Sequence, residues 1–549
     1  MLSFTRNLFL LFIIASCASQ KISVTSDAVL TEKLKSHIVF LADDKLEGRR
    51  AGSPGEKLAM DYIADQFNAI GLMPKGTQEY FQPFDIVEGK QVNETSYFII
   101  NNNPLTAGKD FFPFPYSAVT KIEASPAMAV QEADMPWFFD LKDVVEENKN
   151  NPHYDLNDYI YNNSKKARDK GASAVILYNT SAIDDKIVFN PRDKAEKLNI
   201  PVFYVSKAVA LKYFSDHSAT VAVKLFADIG EKKRKGHNVV GYLDNGASTT
   251  VVLGAHFDHL GYGEDGGSMF RGSTEKAIHN GADDNASGIA ALIELARMLK
   301  NAKIKNNNYL FIAFSAEELG LFGSKYFVDN PTIDLKSVGY MINMDMVGRL
   351  NDSTKMLTIG GIGTSPTWPQ VLKPDPGNAF TIKYDSSGTG PSDHTSFYRK
   401  DIPVLFYFTG LHTDYHKPSD DADKINYWGE TKIIRHIYDL VQSLDGKGKL
   451  VFTKTREMQT STNAAFRVTL GIMPDYTFSG TGVRADGVTE GRPAAKAGLK
   501  AGDIIIQLGE NVINSMENYM QALGKFKKGE KTKVKYKRGN ETLESMVEF

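Results

Sequence analysis

The chain of 549 residues contains a single cysteine, Cys17. That scarcity excludes an internal disulfide framework and any thiolate-rich zinc site, leaving histidine and carboxylate as the available metal donors. Net charge is scarce as well. Sixty-four Lys and Arg against 66 Asp and Glu leave a formal charge of −2, which offers no electrostatic footprint for nucleic acid. Beyond Cys17 no apolar run is long enough to cross a bilayer. What is present is ordinary for a globular chain, with 42% hydrophobic and 24% charged residues. The length exceeds what one hydrophobic core organises, so about three or four domains are expected.

Residues 1–17, MLSFTRNLFLLFIIASC, read as an export signal: Arg6 supplies the positive start, Leu8 to Ile14 the apolar core, and Ala15 and Ser16 the small residues before Cys17. The segment Ile14-Ala15-Ser16-Cys17 resembles the bacterial lipoprotein processing box. That resemblance implies a chain lipid-anchored through Cys17 in the bacterial envelope, periplasmic or outer-membrane, with no other membrane attachment.

Residues 25–107 form the first part of a main domain, in which Leu58, Ala59, Tyr62, Ile63 and Phe67 recur at helical spacing and Gly71 supplies a stop. Residues 108–233 change character, with aromatic-rich material followed by SKKARDKGASAVILYN and IPVFYVSKAVALKYF. A helix, a Gly171-Ala172 break, a strand and a second strand-helix pair are implied. The block resembles the protease-associated domain, a β-rich insert that shapes the cleft of several metallopeptidases. GHNVVGYL reopens the main domain, which occupies 236–445, and a polar linker covers 446–462. Residues 463–549 are similar to PDZ domains, down to the Ala-Gly-Leu-x-x-Gly-Asp turn before Ile504 to Leu508. This small β-sandwich or barrel implies a loop at Leu470-Gly471-Ile472 for a peptide carboxy terminus, with Pro474 obstructing part of the edge.

The chemistry sits beside hydrophobic runs. TTVVLGA precedes His256, NYLFIAF precedes Glu318, VGYMIN precedes Asp345, and IPVLFYF lies upstream of His416, while Asp284 stands in NGADDNASG. Such runs read as buried parallel strands. An α/β fold follows, a mostly parallel mixed sheet with helices on both faces. Sites form at the carboxyl ends of the strands in such sheets, so ligands spread over about 160 positions converge on one cleft. Ile289, Leu292, Ile293, Ala296 and Leu299 form a helical stripe, which puts Asp284 on the turn entering that helix, with Asn285 or Ser287 as its cap. Two divalent cations about 3.5 Å apart need a bridging anion and flanking carboxylates, while zinc also favours imidazole. Three carboxylates and two histidines meet both demands.

Together these motifs resemble the co-catalytic di-zinc aminopeptidases, relatives of bacterial leucyl aminopeptidase, glutamate carboxypeptidase II and the transferrin receptor. The resemblance implies two zinc ions per chain, bridged by Asp284, with His256 and Asp345 completing one site and Glu318 and His416 the other. It also implies a cis peptide from Asp284 to Asn285. Of the adjacent Glu317 and Glu318, one binds metal and the other faces the attacking water, so Glu317 is the expected general base. Asp258, two residues after His256, is expected to accept the imidazole's other N–H. Thr389 stands where some relatives carry a tyrosine ahead of Ser392-Asp393-His394, so oxyanion support is expected from Tyr415. His259, His279, Asp283 and His394 are read as supporting residues.

The expected activity is an exopeptidase, foremost an aminopeptidase on peptide substrates. Carboxypeptidase or dipeptidase action would need a basic group such as Arg271, Arg349 or Arg399 to hold a substrate carboxylate. A reading of another class is a non-catalytic binding protein that uses the insert and the PDZ domain.

Overall fold

The computed structural model describes residues 26–151, 154–270, 276–372, 380–455, 468–474, 481–489, 491–514, 516–539 and 541–549. Cys17 and its signal segment lie outside the described residues. The chain divides into two compact units, Met1–Phe84 with Gly236–Phe549, and Asp85–Lys235.

The larger unit is organised by a mixed sheet whose central strands run Asn308–Phe314, Thr250–His256, Val338–Met344 and Val404–Phe408, each parallel to its neighbour. Ile229–Leu243 pairs antiparallel with Asn308–Phe314 on one side, and Met356–Gly360 antiparallel with Val404–Phe408 on the other. Every residue of Thr250–His256, Asn308–Phe314 and Val338–Met344 is buried, as continuous apolar runs require when both faces are covered. The parallel order needs crossovers, and helix Gly288–Lys300 supplies the one between Thr250–His256 and Asn308–Phe314. That helix is buried nearly all round, the pattern of a core helix.

Helix Pro54–Ile70 shows how local signals set the boundaries. Ser53 accepts the Glu56 N–H, Pro54 opens the first turn, and Gly71 closes it at φ 80°, where a side chain would be strained. Its buried face is Ala59, Ile63, Phe67 and Ile70. Leu58 departs from the expected stripe and is 47% exposed, because it lies one residue off that face.

The unit Asp85–Lys235 is wider than the segment 108–233 whose composition changes. The reason is strand pairing: Tyr97–Ile100 runs antiparallel to Val223–Phe226, so the preceding residues belong to the same core. A second sheet joins Ala174–Tyr178 in parallel with Pro136–Asp140 and Val202–Val205. Phe98, Phe111, Phe138, Phe203 and Phe214 fill the core.

Residues 468–549 have their own apolar cluster, including Leu470, Leu499, Ile505, Leu508 and Val534. Their sheet runs Ile472–Pro474, Val483–Val488, Ile504–Leu508, Lys531–Arg538 and Glu541–Glu548, antiparallel throughout. Buried Asp503 anchors the Gly-Asp turn, pairing with the Arg538 guanidinium at 2.7 and 2.8 Å and accepting the Lys500 N–H. Among the described residues no helix is long and apolar enough to cross a membrane.

Candidate metal centre

The site is assembled where the parallel strands end. His256 is the last residue of its strand and 1% exposed. Asp258 follows it and accepts the Glu317 N–H on Oδ1 at 3.0 Å, tying together the ends of two adjacent strands. Glu317 and Glu318 stand in the turn just beyond Asn308–Phe314, and Asp345 directly follows Val338–Met344. Ala316, Met346 and His416 all have φ between 53° and 56°. Non-glycine residues resist that region at a cost of about 1–3 kcal/mol each, so surrounding contacts must hold these turns.

The turn carrying Asp284 is held most firmly. Gly281, at φ 56°, leaves no room for a Cβ against the Asp284 carbonyl and the His259 ring. Asp420 Oδ2 accepts the N–H groups of Asp283 and Asp284 at 3.0 and 3.1 Å. The peptide from Asp284 to Asn285 is cis. Asn285 Oδ1 accepts N–H from Gly288 and from Met346, capping the core helix and fixing the residue after Asp345. Ser287 bonds the Asp283 carbonyl and accepts the Val347 N–H.

All the expected ligands converge. His256 Nε2 lies 3.3 Å from both Asp284 Oδ1 and Asp345 Oδ1. His416 Nε2 lies 3.2 Å from Asp284 Oδ2 and 3.3 Å from Glu318 Oε2. Asp284 thus turns one oxygen toward each histidine. Donor atoms of His256, Asp284 and Asp345 fall within 4.8 Å of one another, as do those of His259, Asp284 and Glu318.

The imidazole tautomers test whether a cation fits. His256 Nδ1 is 3.2 Å from the Asp258 main-chain oxygen, and His416 Nδ1 is 3.0 Å from that of Gly267. A carbonyl only accepts, so each Nδ1 carries a proton and each Nε2 directs a lone pair at two carboxylate oxygens. Lone pair against carboxylate is repulsive unless a cation lies between them. Without metal a proton takes that role: burial opposes the charged His256 ring, yet Asp345, Glu317, Asp258 and Asp284 push its pKa well above the ordinary value. His416 is raised in the same way by Glu318 and Asp284, against its burial. The donor set fits divalent metal.

Asp258 sets the His256 tautomer through its main-chain oxygen, since its carboxylate lies farther off, at 3.7 Å. Glu317 lines the cleft. Lost solvation raises its pKa well above the usual carboxylate range; His256 opposes the shift and Asp345, Asp393 and Glu318 add to it. Tyr415 also lines the cleft, its ring stacked on His416 with centroids 3.8 Å apart. His394, stacked on Phe406, is held neutral by burial, its pKa pushed down to about 3.

Some of the supporting contacts were invisible in the sequence. Arg49 is 1% exposed and donates to the carbonyl oxygens of Phe257, Leu41, Asn280 and Gly281, tying the chain after His256 to the turn before Asp284. Burial lowers its pKa to about 10, while Asp284, Asp258, Asp420 and Glu318 hold it up. His259, expected only as support, lies 2.8 Å from Glu318 Oε1 through Nδ1 and orients that carboxylate. His412 Nε2 lies 3.2 Å from Asp283 Oδ2 behind the site. A doublet GRR and lone charges in polar loops carry no periodic signal, and only the folded contacts identify them.

Residues 238–441 match the model of Peptidase family M28, and 457–549 match that of the PDZ domain. Aminopeptidase YwaD of Bacillus subtilis is 28% identical over 282 residues, 48% of this chain and 56% of its own length. The probable lipoprotein aminopeptidase LpqL of Mycobacterium tuberculosis is 29% identical over 283 residues, 48% of this chain and 51% of its own. The match thus spans little more than half the length of these curated relatives. Among solved structures, that of BSAP, a zinc aminopeptidase from Bacillus subtilis, aligns with 78% of this chain and 96% of its own at 21% identity and a TM-score of 0.43. The converged histidines and carboxylates of residues 256–416 fall inside the first of these matches, and the chain carries a peptidase family M28 domain followed by a carboxy-terminal PDZ domain.

Proposed function

We propose that the protein is a zinc-dependent aminopeptidase holding two zinc ions, one between His256, Asp284 and Asp345 and the other between His416, Asp284 and Glu318. Bound metal supplies Lewis-acid polarisation of the scissile carbonyl and makes water more acidic. Glu317 accepts the proton of the attacking water and passes it to the leaving amine, while the Tyr415 phenol donates a hydrogen bond to the developing oxyanion. Asp258 keeps His256 in its donor tautomer and braces the Glu317 turn.

The direction of attack rests on one observation. The cleft, about 140 Å³, is lined by five carboxylates and, among the described residues, by no lysine or arginine. With Asp284, Glu318 and Asp345 engaged by metal, Glu317 and Asp385 remain as acceptors for an amino-terminal ammonium, while a terminal carboxylate finds no cationic side chain in the lining. Arg349 is engaged by Asp414 at 3.2 Å, Arg399 is not part of the lining, and Arg271 lies outside the described residues. Peptides with a free amino terminus should be cleaved, and the same peptides acetylated there should resist by at least about a hundredfold in kcat/KM. Equal cleavage of both, or a requirement for a free carboxy terminus, would sink the aminopeptidase reading.

Two features outside the peptidase domain complete the proposal. Cys17 is lipidated after signal cleavage, supported by the resemblance of Ile14–Cys17 to the processing box and by similarity to a relative named as a lipoprotein. Fatty-acid label should be lost in Cys17→Ser, and a wild-type chain that takes up no label would refute the anchor. In the described sheet Ile472–Pro474 is an edge strand, where an extended peptide carboxy terminus would add beside the part that Pro474 leaves unobstructed, so the domain acts on longer substrates rather than on the chemistry.

A further inference from the structure

Four of the five cleft carboxylates, Asp284, Glu317, Glu318 and Asp345, have work in the proposed reaction; the fifth, Asp385, has none. Asp385 follows the sheet strand Thr381–Tyr384, and its main chain is fixed at both ends, N–H to the Ile359 carbonyl and carbonyl to the Ile362 N–H, each at 3.0 Å. Oδ1 accepts the Ser387 N–H at 3.1 Å, so the carboxylate is oriented by the backbone. Among the described residues no cation pairs with it, and Oδ2 remains for a ligand.

The same cleft has an apolar wall. Phe406 and Phe408 stack with ring centroids 5.7 Å apart and an angle of 13°, and Leu411 and Met346 extend the surface. His394, stacked on Phe406, lines the same cleft, and burial pushes its pKa down to about 3, so it brings no competing charge. An apolar wall that also carries one oriented carboxylate is complementary to an aliphatic stem tipped with a cation, which lays its methylenes on the rings and its charge on the acid. A leucine side chain satisfies the wall and leaves the carboxylate unpaired. A glutamate meets repulsion.

We propose that Asp385 is a specificity-determining residue that selects lysine or arginine as the amino-terminal residue removed. The inference rests on the aminopeptidase reading and deepens it. Asp385 is exposed, and an ion pair at an exposed carboxylate contributes at most about fivefold in selectivity, so the effect is a preference and not an absolute gate.

The test compares kcat/KM for Lys, Arg, Leu and Glu para-nitroanilides with the zinc-loaded full chain. Wild type should prefer Lys and Arg to Leu, Asp385→Asn should lower the Lys-to-Leu ratio about fivefold, and Asp385→Lys should raise the Glu-to-Leu ratio by a similar factor. The charge-reversed variant keeps the proposal testable if amide replacement alone perturbs the loop. Lys-to-Leu and Glu-to-Leu ratios that stay the same across wild type and both variants would overturn the assignment of Asp385 while leaving aminopeptidase action intact. Cleavage of amino-blocked peptides without cleavage of any aminoacyl anilide would overturn both, and so separates the two failures.

Discussion

Glu317→Gln should lower kcat by about 10² to 10⁴ with KM little altered and with metal content unchanged, the range expected when a positioned general base is removed. Glutamine keeps the size of the side chain, and the main-chain N–H of residue 317 can still donate to Asp258 Oδ1, so the turn is retained. The neighbouring Glu318 lines the same cleft but is held at Oε1 by His259 and lies 3.3 Å from His416 at Oε2. The two acids also differ in proton affinity. Burial raises both, but His416 and the hydrogen bond from His259 bring Glu318 down to about 2, whereas Glu317 stands well above the usual carboxylate range. These differences hold before metal binds, and the contacts divide the roles: Glu318 is engaged by His259 and His416, whereas the Glu317 turn is braced by Asp258. Glu318→Gln should therefore lose activity together with metal. Near wild-type kcat in Glu317→Gln, or loss of zinc from it, would show that the division is wrong.

What could be read from the sequence followed from periodicity and from strand ends. Runs such as TVVLGAH and NYLFIAF have too few polar residues for anything but buried strands, and the residue at the end of a parallel strand opens into the cleft. His256 and Asp345 were legible for that reason. Asp284 was legible through the helix that follows it, whose apolar residues locate the turn. The bracing was not. Arg49 precedes His256 by roughly two hundred positions, and its donors end on main-chain carbonyls that carry no side-chain signature. Asp420 is one acid among several in SDDAD, yet it accepts two N–H groups from the Asp284 turn. The composition shift at 108 likewise missed Tyr97–Ile100, because a strand's partner in sequence, here Val223–Phe226, is set by long-range pairing.

Asp284→Ala should strip both metals at once, whereas His416→Ala should remove mainly one. Asp284 Oδ1 faces His256 and Oδ2 faces His416, so its loss deletes an anionic donor common to both positions and leaves two cations without the charge that separates them. His416→Ala leaves His256, Asp284 and Asp345 in place around the other position. The turn itself should survive the alanine. Asp420 bonds main-chain N–H groups there, Asn285 retains its cap on Gly288, and Arg49 still holds Gly281, none of which needs the Asp284 carboxylate. Metal analysis of purified protein should give two zinc ions per wild-type chain, about one for His416→Ala and essentially none for Asp284→Ala. Thermal unfolding supplies a second readout independent of turnover. Zinc at about a hundred times its Kd stabilises a native site by about 2.7 kcal/mol, so wild type should gain markedly on zinc addition and Asp284→Ala should not. Activity should be abolished by a strong chelator in wild type and absent from Asp284→Ala at any zinc concentration. If Asp284→Ala instead keeps one tightly held ion, the carboxylate serves a single site and the bridged pair is wrong.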